Sequence, residues 1–128
     1  MGVKHNKIAS LDVDSQNCFT DVCPDELPVE EGTKIVEALN FQASLASFRI
    51  GSKDAHPANP IWLADKDHPP FTKFKGVNAD LYWPSHCVPG TKGFESIKGL
   101  PHPTGYDFFV WKGIEPDMHP YGACFHDF

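Results

Sequence analysis

Three side chains of the types that bind metals stand in two short segments of this sequence. Asp54 and His56 are separated by one residue, and His86 lies in the segment 83–91, WPSHCVPGT. One carboxylate and two imidazoles suit a borderline divalent cation and leave positions open for water or substrate. The sequence therefore predicts a divalent metal site, with zinc as the first expectation and iron or manganese as the alternatives.

Two further ionisable residues, Asp14 and Lys112, follow apolar runs at 8–13 and 106–111. Both runs are typical of buried strands, and ligands of open parallel sheets bind outside the carboxyl ends of the strands. Asp14 and Lys112 therefore become candidate site residues, although a turn cap for the aspartate and a solvated loop lysine are equally good interpretations of each residue alone.

The elements between these residues follow a strand, helix, strand pattern. Residues 30–47 carry apolar side chains at a helical period, and residues 47–53 form the next strand candidate, directly before the first metal-ligand pair. Residues 57–105 are proline-rich and without a regular period, which predicts a long functional loop. The sequence thus predicts one parallel α/β domain over residues 1–128.

Composition limits the partners of the chain. The 128 residues carry a formal net charge of −6 without a basic cluster, which argues against a nucleic acid or an anionic membrane as a partner. No apolar run approaches the about 20 residues of a membrane span. Four scattered cysteines without an export signal predict reduced thiols and a cytoplasmic location.

Several segments resemble one enzyme family in order and spacing. The matching segments are 13–19 (VDSQNCF), 53–59 (KDAHPAN), 83–93 (WPSHCVPGTKG), 111–113 (WKG) and, more faintly, 117–127. With these segments the chain resembles the nicotinamidase/pyrazinamidase branch of the isochorismatase-like hydrolases along almost all of its length. The resemblance implies a three-layer αβα fold with a parallel, Rossmann-like sheet, here incomplete at the C-terminus.

The resemblance also implies a reaction, the hydrolysis of nicotinamide to nicotinic acid and ammonia in NAD metabolism and pyridine nucleotide salvage. Asp14 matches the aspartate that exchanges a proton with the nucleophilic thiol, and Lys112 matches the lysine beside it. Phe19 and Trp83 match the aromatic residues that sandwich the substrate ring.

The resemblance assigns Asp54, His56 and His86 as metal ligands. A further ligand of the family, commonly histidine, would stand at Pro60, which has no side chain able to ligate.

The family's nucleophilic cysteine would lie beyond the end of this sequence at Phe128, and none of the four cysteines matches it. We therefore expect an N-terminal part that needs a missing C-terminal portion or a second chain, with one side of its sheet uncovered. A homo-oligomer is compatible with the sequence. The alternatives are a non-catalytic metal- or ligand-binding protein and a related amidase whose loop 57–82 selects another substrate.

The remaining histidines have no comparable setting, and we expect them on the surface or in loops, with His68 as a spare ligand. They are His5, His68, His102, His119 and His126.

Overall fold

The computed structural model describes residues 5–124, with side chains from residue 8 onward. Three strands form one parallel sheet in the order β1-β2-β3: β1 is His5–Asp12, β2 is Ala46–Asp54 and β3 is Phe108–Lys112. The parallel α/β class predicted from the sequence is confirmed. The strands lie within a few residues of their predicted positions.

An α-helix, α1, runs from Ile35 to Leu45 and packs against β1 and β2. It is shorter than the predicted 30–47 because a 3-10 turn at Gly32–Lys34 precedes it and Glu31 has a left-handed backbone, with φ of 61°. On this face of the sheet Arg49 binds the buried carboxylate of Asp12 through Nε and Nη2, at 2.9 and 2.6 Å.

The opposite face of the sheet presents large apolar side chains. The register places Leu11 beside Ile50 and Ile50 beside Phe108, so these three side chains share one face. Leu11 is 49% exposed and Phe108 is 62% exposed. Of the three predicted layers, the described residues thus contain the sheet and the helical layer on one side of it.

Most of the chain between β2 and β3 is irregular, as predicted. Its loops are anchored by backbone hydrogen bonds: Trp83 donates to Trp62, and Ala64 donates to Trp83. None of the helices within residues 5–124 has the length and apolar character that crossing a membrane requires.

Candidate functional site

The side chains that follow the three strands meet at one edge of the sheet. Lys112, the last residue of β3, lies between two carboxylates: its Nζ is 3.0 Å from Asp14 Oδ2 and also contacts Asp54 Oδ1. The side chains of Lys112 and Asp54 are each only 8% exposed. Adjacent parallel strands end at the same edge, which is why three residues far apart in sequence form one charged cluster.

Asp14 is held by the neighbouring strand. Its backbone has a φ of 47°, its amide donates to the Ser52 carbonyl at 3.2 Å, and the Ser52 hydroxyl donates to Asp14 Oδ1 at 2.6 Å. This arrangement turns the carboxylate toward Lys112.

Asp54 is held by the buried amide side chain of Gln16. The Asp54 amide donates to Gln16 Oε1 at 2.8 Å, and Gln16 Nε2 donates to the Asp54 carbonyl at 2.9 Å. Gln16 is fully buried, so this paired contact fixes the end of β2 relative to the turn after β1.

Burial and charge set the protonation of the cluster. Burial, with the nearby charge of Asp54, raises the pKa of Asp14 above its ordinary value, against the opposing effects of Ser52 and Lys112. Burial would also raise the pKa of Asp54, but contacts with His56 and Lys112 outweigh it and lower that pKa. Burial acts to lower the pKa of Lys112, yet the two carboxylates raise it. Asp14 therefore holds a proton more readily than Asp54, as a proton-exchanging group requires.

Two buried histidines lie beside this cluster with matching tautomers. His56 Nδ1 donates to the Gly113 carbonyl at 3.0 Å, and His86 Nδ1 donates to the Pro84 carbonyl at 2.7 Å. A carbonyl only accepts, so each ring keeps its Nε2 lone pair for a ligand. The ring centroids are 4.6 Å apart.

A third histidine, His119, completes a compact group with His56 and His86. One ligand nitrogen of each lies within 4.8 Å of the others. His119 stands in an irregular segment, in line with the expected loop position, but it is buried, at 4% exposure, and not on the surface. No spacing near His119 indicates this placement, since the three residues come from three separate segments.

The three histidines fit a divalent cation. His56 Nε2 and both ring nitrogens of His119 are buried without a hydrogen-bond partner among the described residues, a costly state that a metal ion would relieve. Burial, with neighbouring imidazoles, lowers the pKa of His86 and of His119 to about 4, so both rings are neutral and able to ligate at pH 7. Asp54 Oδ1 stands 3.6 Å from His56 Nε2, at the edge of this group.

Phe19 and Trp83 both lie near the His86 ring. The Phe19 ring centroid is 6.0 Å from that of His86, and the Trp83 centroid is 6.4 Å from it. Both aromatic residues are half-buried. Trp83 is also stacked on His119, with centroids 5.0 Å apart and planes 6° from parallel.

The other residues discussed from the sequence lie away from this group. His68 binds Asp65 and stacks on Tyr82, so it is not part of the three-histidine group. His102 is exposed, while the His5 side chain and His126 lie outside the described residues. Pro60 is buried and supplies no ligand atom.

The prediction of four reduced thiols was wrong for two of the cysteines. Cys18 and Cys87 form a disulfide, because the turn after β1 and the loop after Trp83 come together with a Cα–Cα distance of 5.6 Å. Cys23 and Cys124 are free. The disulfide removes the cysteine argument for a cytoplasmic location.

No family model matches the chain. It is 30% identical over 121 residues to a nicotinamidase of Acinetobacter baylyi, covering 92% of this chain and 55% of that protein. It therefore spans about half the length of the curated relative.

Two solved structures resemble this chain over most of its length. The Acinetobacter baumanii nicotinamidase pyrazinamidase gives a TM-score of 0.80 at 29% identity, over 90% of this chain and 56% of that one. The pyrazinamidase of Pyrococcus horikoshii in complex with zinc gives 0.60 at 29% identity, over 87% of this chain and 54% of that one. The resemblance predicted from the sequence is confirmed: the chain is similar to nicotinamidases and pyrazinamidases and shares their fold over the matched residues.

Proposed function

We propose that this chain is the metal-binding and acid–base part of an amidase that hydrolyses nicotinamide and pyrazinamide-like amides to the acid and ammonia. The observation that carries the proposal is the buried Asp14–Lys112–Asp54 cluster beside a group of three buried imidazoles, at the carboxyl edge of a parallel sheet. The similar nicotinamidase and pyrazinamidase chains supply the substrate class.

In the proposed reaction Asp14 first accepts the proton of a cysteine thiol. The thiolate sulfur then forms a bond to the amide carbon, and Asp14 returns the proton to nitrogen as the carbon–nitrogen bond breaks and ammonia leaves. Water hydrolyses the resulting thioester to the free acid and the thiol. Lys112 favours the charged forms of Asp14 and of the thiolate through its own positive charge.

We propose that the nucleophile is a cysteine other than the four in this sequence. Cys18 and Cys87 are bonded to each other and carry no thiol. Cys124 lines a cavity of about 250 Å³ beside Lys112, but it is exposed to solvent. For Cys23, burial and acidic neighbours raise the pKa of the thiol. The Cys23 thiol therefore lacks the lowered pKa that activates a nucleophilic cysteine by the usual route.

Asp54, His56 and His86 are the proposed metal ligands, with zinc as the preferred ion and iron or manganese as alternatives. A bound divalent cation would supply a fixed positive charge that holds water and orients the substrate. Nitrogen ligands with one carboxylate suit zinc. The zinc complex of the Pyrococcus horikoshii pyrazinamidase supports this choice.

Phe19 and Trp83 are the proposed residues that hold the substrate ring. Their position near His86 would bring an aromatic amide next to the metal ligands. One face of the Trp83 indole is already stacked on His119, so the ring would lie against the opposite face.

We further propose that the apolar face of the sheet packs against additional polypeptide, either a continuation of this chain or a second chain. Leu11, Phe48 and Phe108 are between 47% and 62% exposed on this face. Contiguous apolar surface of this kind is typical of interfaces. A cytoplasmic location and a role in pyridine nucleotide salvage belong to the same proposal.

The test is ammonia release from nicotinamide and from pyrazinamide, measured with the protein at the length its gene encodes and with the 128-residue chain, each supplied with zinc. We expect turnover by the former and none by the chain alone. Asp14→Asn should abolish turnover, and Asp21→Asn, at an exposed aspartate, is the matched control. Turnover by the folded 14.2 kDa chain alone would refute the assignment of the nucleophile.

A second candidate function is a metal- or ligand-binding protein without catalysis, which is favoured because none of the four cysteines matches the nucleophile and Pro60 stands where a further metal ligand would be. Binding of zinc and nicotinamide by the gene-length protein without ammonia release would select this alternative.

A further inference from the structure

We propose that His119 is a ligand of the metal site, so that the cation is held by three imidazoles, those of His56, His86 and His119. The proposal rests on the proposed metal dependence and extends it to a residue outside the segments that match the enzyme family closely. It concerns how the metal is held, and it can fail while the proposed amide hydrolysis stands.

The geometry of the three rings carries the proposal. A ligand nitrogen from each lies within 4.8 Å of the other two, a spread that a single ion at ordinary metal–nitrogen distances of about 2 Å can bridge with small side-chain adjustments. The His119 ring is stacked on His56, with centroids 5.2 Å apart and planes 22° from parallel. The centroids of His119 and His86 are 6.1 Å apart.

His119 has the properties of a ligand rather than of a packed core residue. It is 4% exposed, and neither ring nitrogen finds a hydrogen-bond partner among the described residues. A structural histidine normally uses at least one nitrogen in a hydrogen bond, because a buried polar atom without a partner destabilises the fold. Ligation of one nitrogen would account for burying this ring in a cluster of imidazoles.

The backbone around His119 is anchored independently of any metal. The His119 amide donates to the Asn78 carbonyl at 2.8 Å, and Trp62 Nε1 donates to the Met118 carbonyl at 2.7 Å. Trp83 covers the ring from one side. The loop 57–83 therefore positions the imidazole in advance, as a preorganised ligand requires.

A third imidazole changes the expected metal preference. Three neutral nitrogen ligands favour zinc and cobalt over manganese and magnesium, which prefer oxygen ligands. Asp54 is already engaged by Lys112, and its carboxylate lies 3.6 Å from His56 Nε2. In a three-histidine site Asp54 would serve as a further ligand or orient a bound water.

The first experiment compares zinc affinity, by chelator competition, and the visible spectrum of the cobalt-loaded chain for the wild type, His119→Ala and His68→Ala. His68 is a matched control, since it is also stacked on an aromatic ring but lies outside the cluster. We expect His119→Ala to lose about 100-fold or more in zinc affinity, beyond the 10–100-fold typical of outer-shell residues, and to change the cobalt spectrum. An affinity within about threefold of the wild type and an unchanged spectrum would overturn the proposal.

The second experiment uses only the wild-type chain, so its result does not depend on whether His119→Ala folds. Nitrogen-15 spectra of the imidazoles in the wild-type chain are recorded with and without one equivalent of zinc. Shifts of three rings, assigned to His56, His86 and His119, are expected. Shifts of two rings only, or no stoichiometric zinc binding, would overturn the proposal.

The two proposals can fail separately. Three shifted rings without ammonia release from nicotinamide by the gene-length protein would leave the three-histidine site standing and refute the amidase. Ammonia release with only two shifted rings would leave the amidase standing and refute the three-histidine site.

Discussion

Replacing Gly113 with alanine tests whether the position of His56 depends on the chain just after β3. Gly113 has a φ of 72°, and its carbonyl accepts the hydrogen bond from His56 Nδ1. A Cβ atom built on Gly113 would lie 2.4 Å from His56 Cε1 and 2.5 Å from Nδ1, closer than real Cβ contacts. His56 is 1% exposed, so its ring has little room to move away.

The magnitude has two parts. A left-handed backbone costs an L-residue roughly 1–2 kcal/mol. Overpacking against a buried side chain adds about 1–3 kcal/mol. Gly113→Ala should therefore lower the free energy of unfolding by about 2–5 kcal/mol and should also weaken zinc binding, because the displaced ring carries a ligand nitrogen.

Gly90→Ala is the matched control. Gly90 also has a positive φ, 87°, but no atom lies within 4 Å of a Cβ built there. It should show the backbone cost alone and bind zinc normally. The assays are urea unfolding of the metal-free chain and zinc affinity by chelator competition. Equal losses of stability in the two variants, or unchanged zinc affinity in Gly113→Ala, would refute the argument that Gly113 leaves space for His56.

Three further predictions concern the proton acceptor, a metal ligand and the disulfide. Asp14→Asn removes the proton acceptor and should abolish amide hydrolysis in any active form of the protein, so normal ammonia release would refute the role of Asp14. His86→Ala should lower the bound zinc measured after dialysis, and an unchanged zinc content would remove His86 from the ligand set. Replacing both Cys18 and Cys87 by serine opens a link between residues 69 positions apart, which should lower the free energy of unfolding in urea by about 4 kcal/mol on the chain-entropy model. A variant as stable as the oxidised wild type would contradict that model here.

The charged cluster could be predicted from sequence because it depends on local pattern and one general rule. Apolar runs before Asp14, Asp54 and Lys112 identified three strand ends, and parallel strands bring such ends to one edge. Strand order places Lys112 beside Asp54, because β2 and β3 are paired, while its contact with Asp14 also depends on the turn that Ser52 holds. The roles of these residues in catalysis remain predictions.

The disulfide was beyond sequence reasoning. Cys18 and Cys87 are separated by 69 positions and stand in irregular segments, so neither periodicity nor spacing relates them. Their approach depends on how the loop after β2 returns to the turn after β1, including the bond from the Cys87 amide to Glu26 Oε2 at 2.9 Å. The expectation of reduced thiols was wrong for this reason.

By itself the sequence determined the fold class, the resemblance to nicotinamidases and the strand ends that carry Asp14 and Lys112, because hydrophobic period and strand direction are properties of local segments. Only the tertiary structure decided that His119 joins His56 and His86. That group depends on loops whose course is set by scattered hydrogen bonds and ring contacts, such as the stacking of His119 on Trp83. Contacts between distant irregular segments leave no periodic pattern in the sequence, so the position of the His119 imidazole could not be predicted without the tertiary structure.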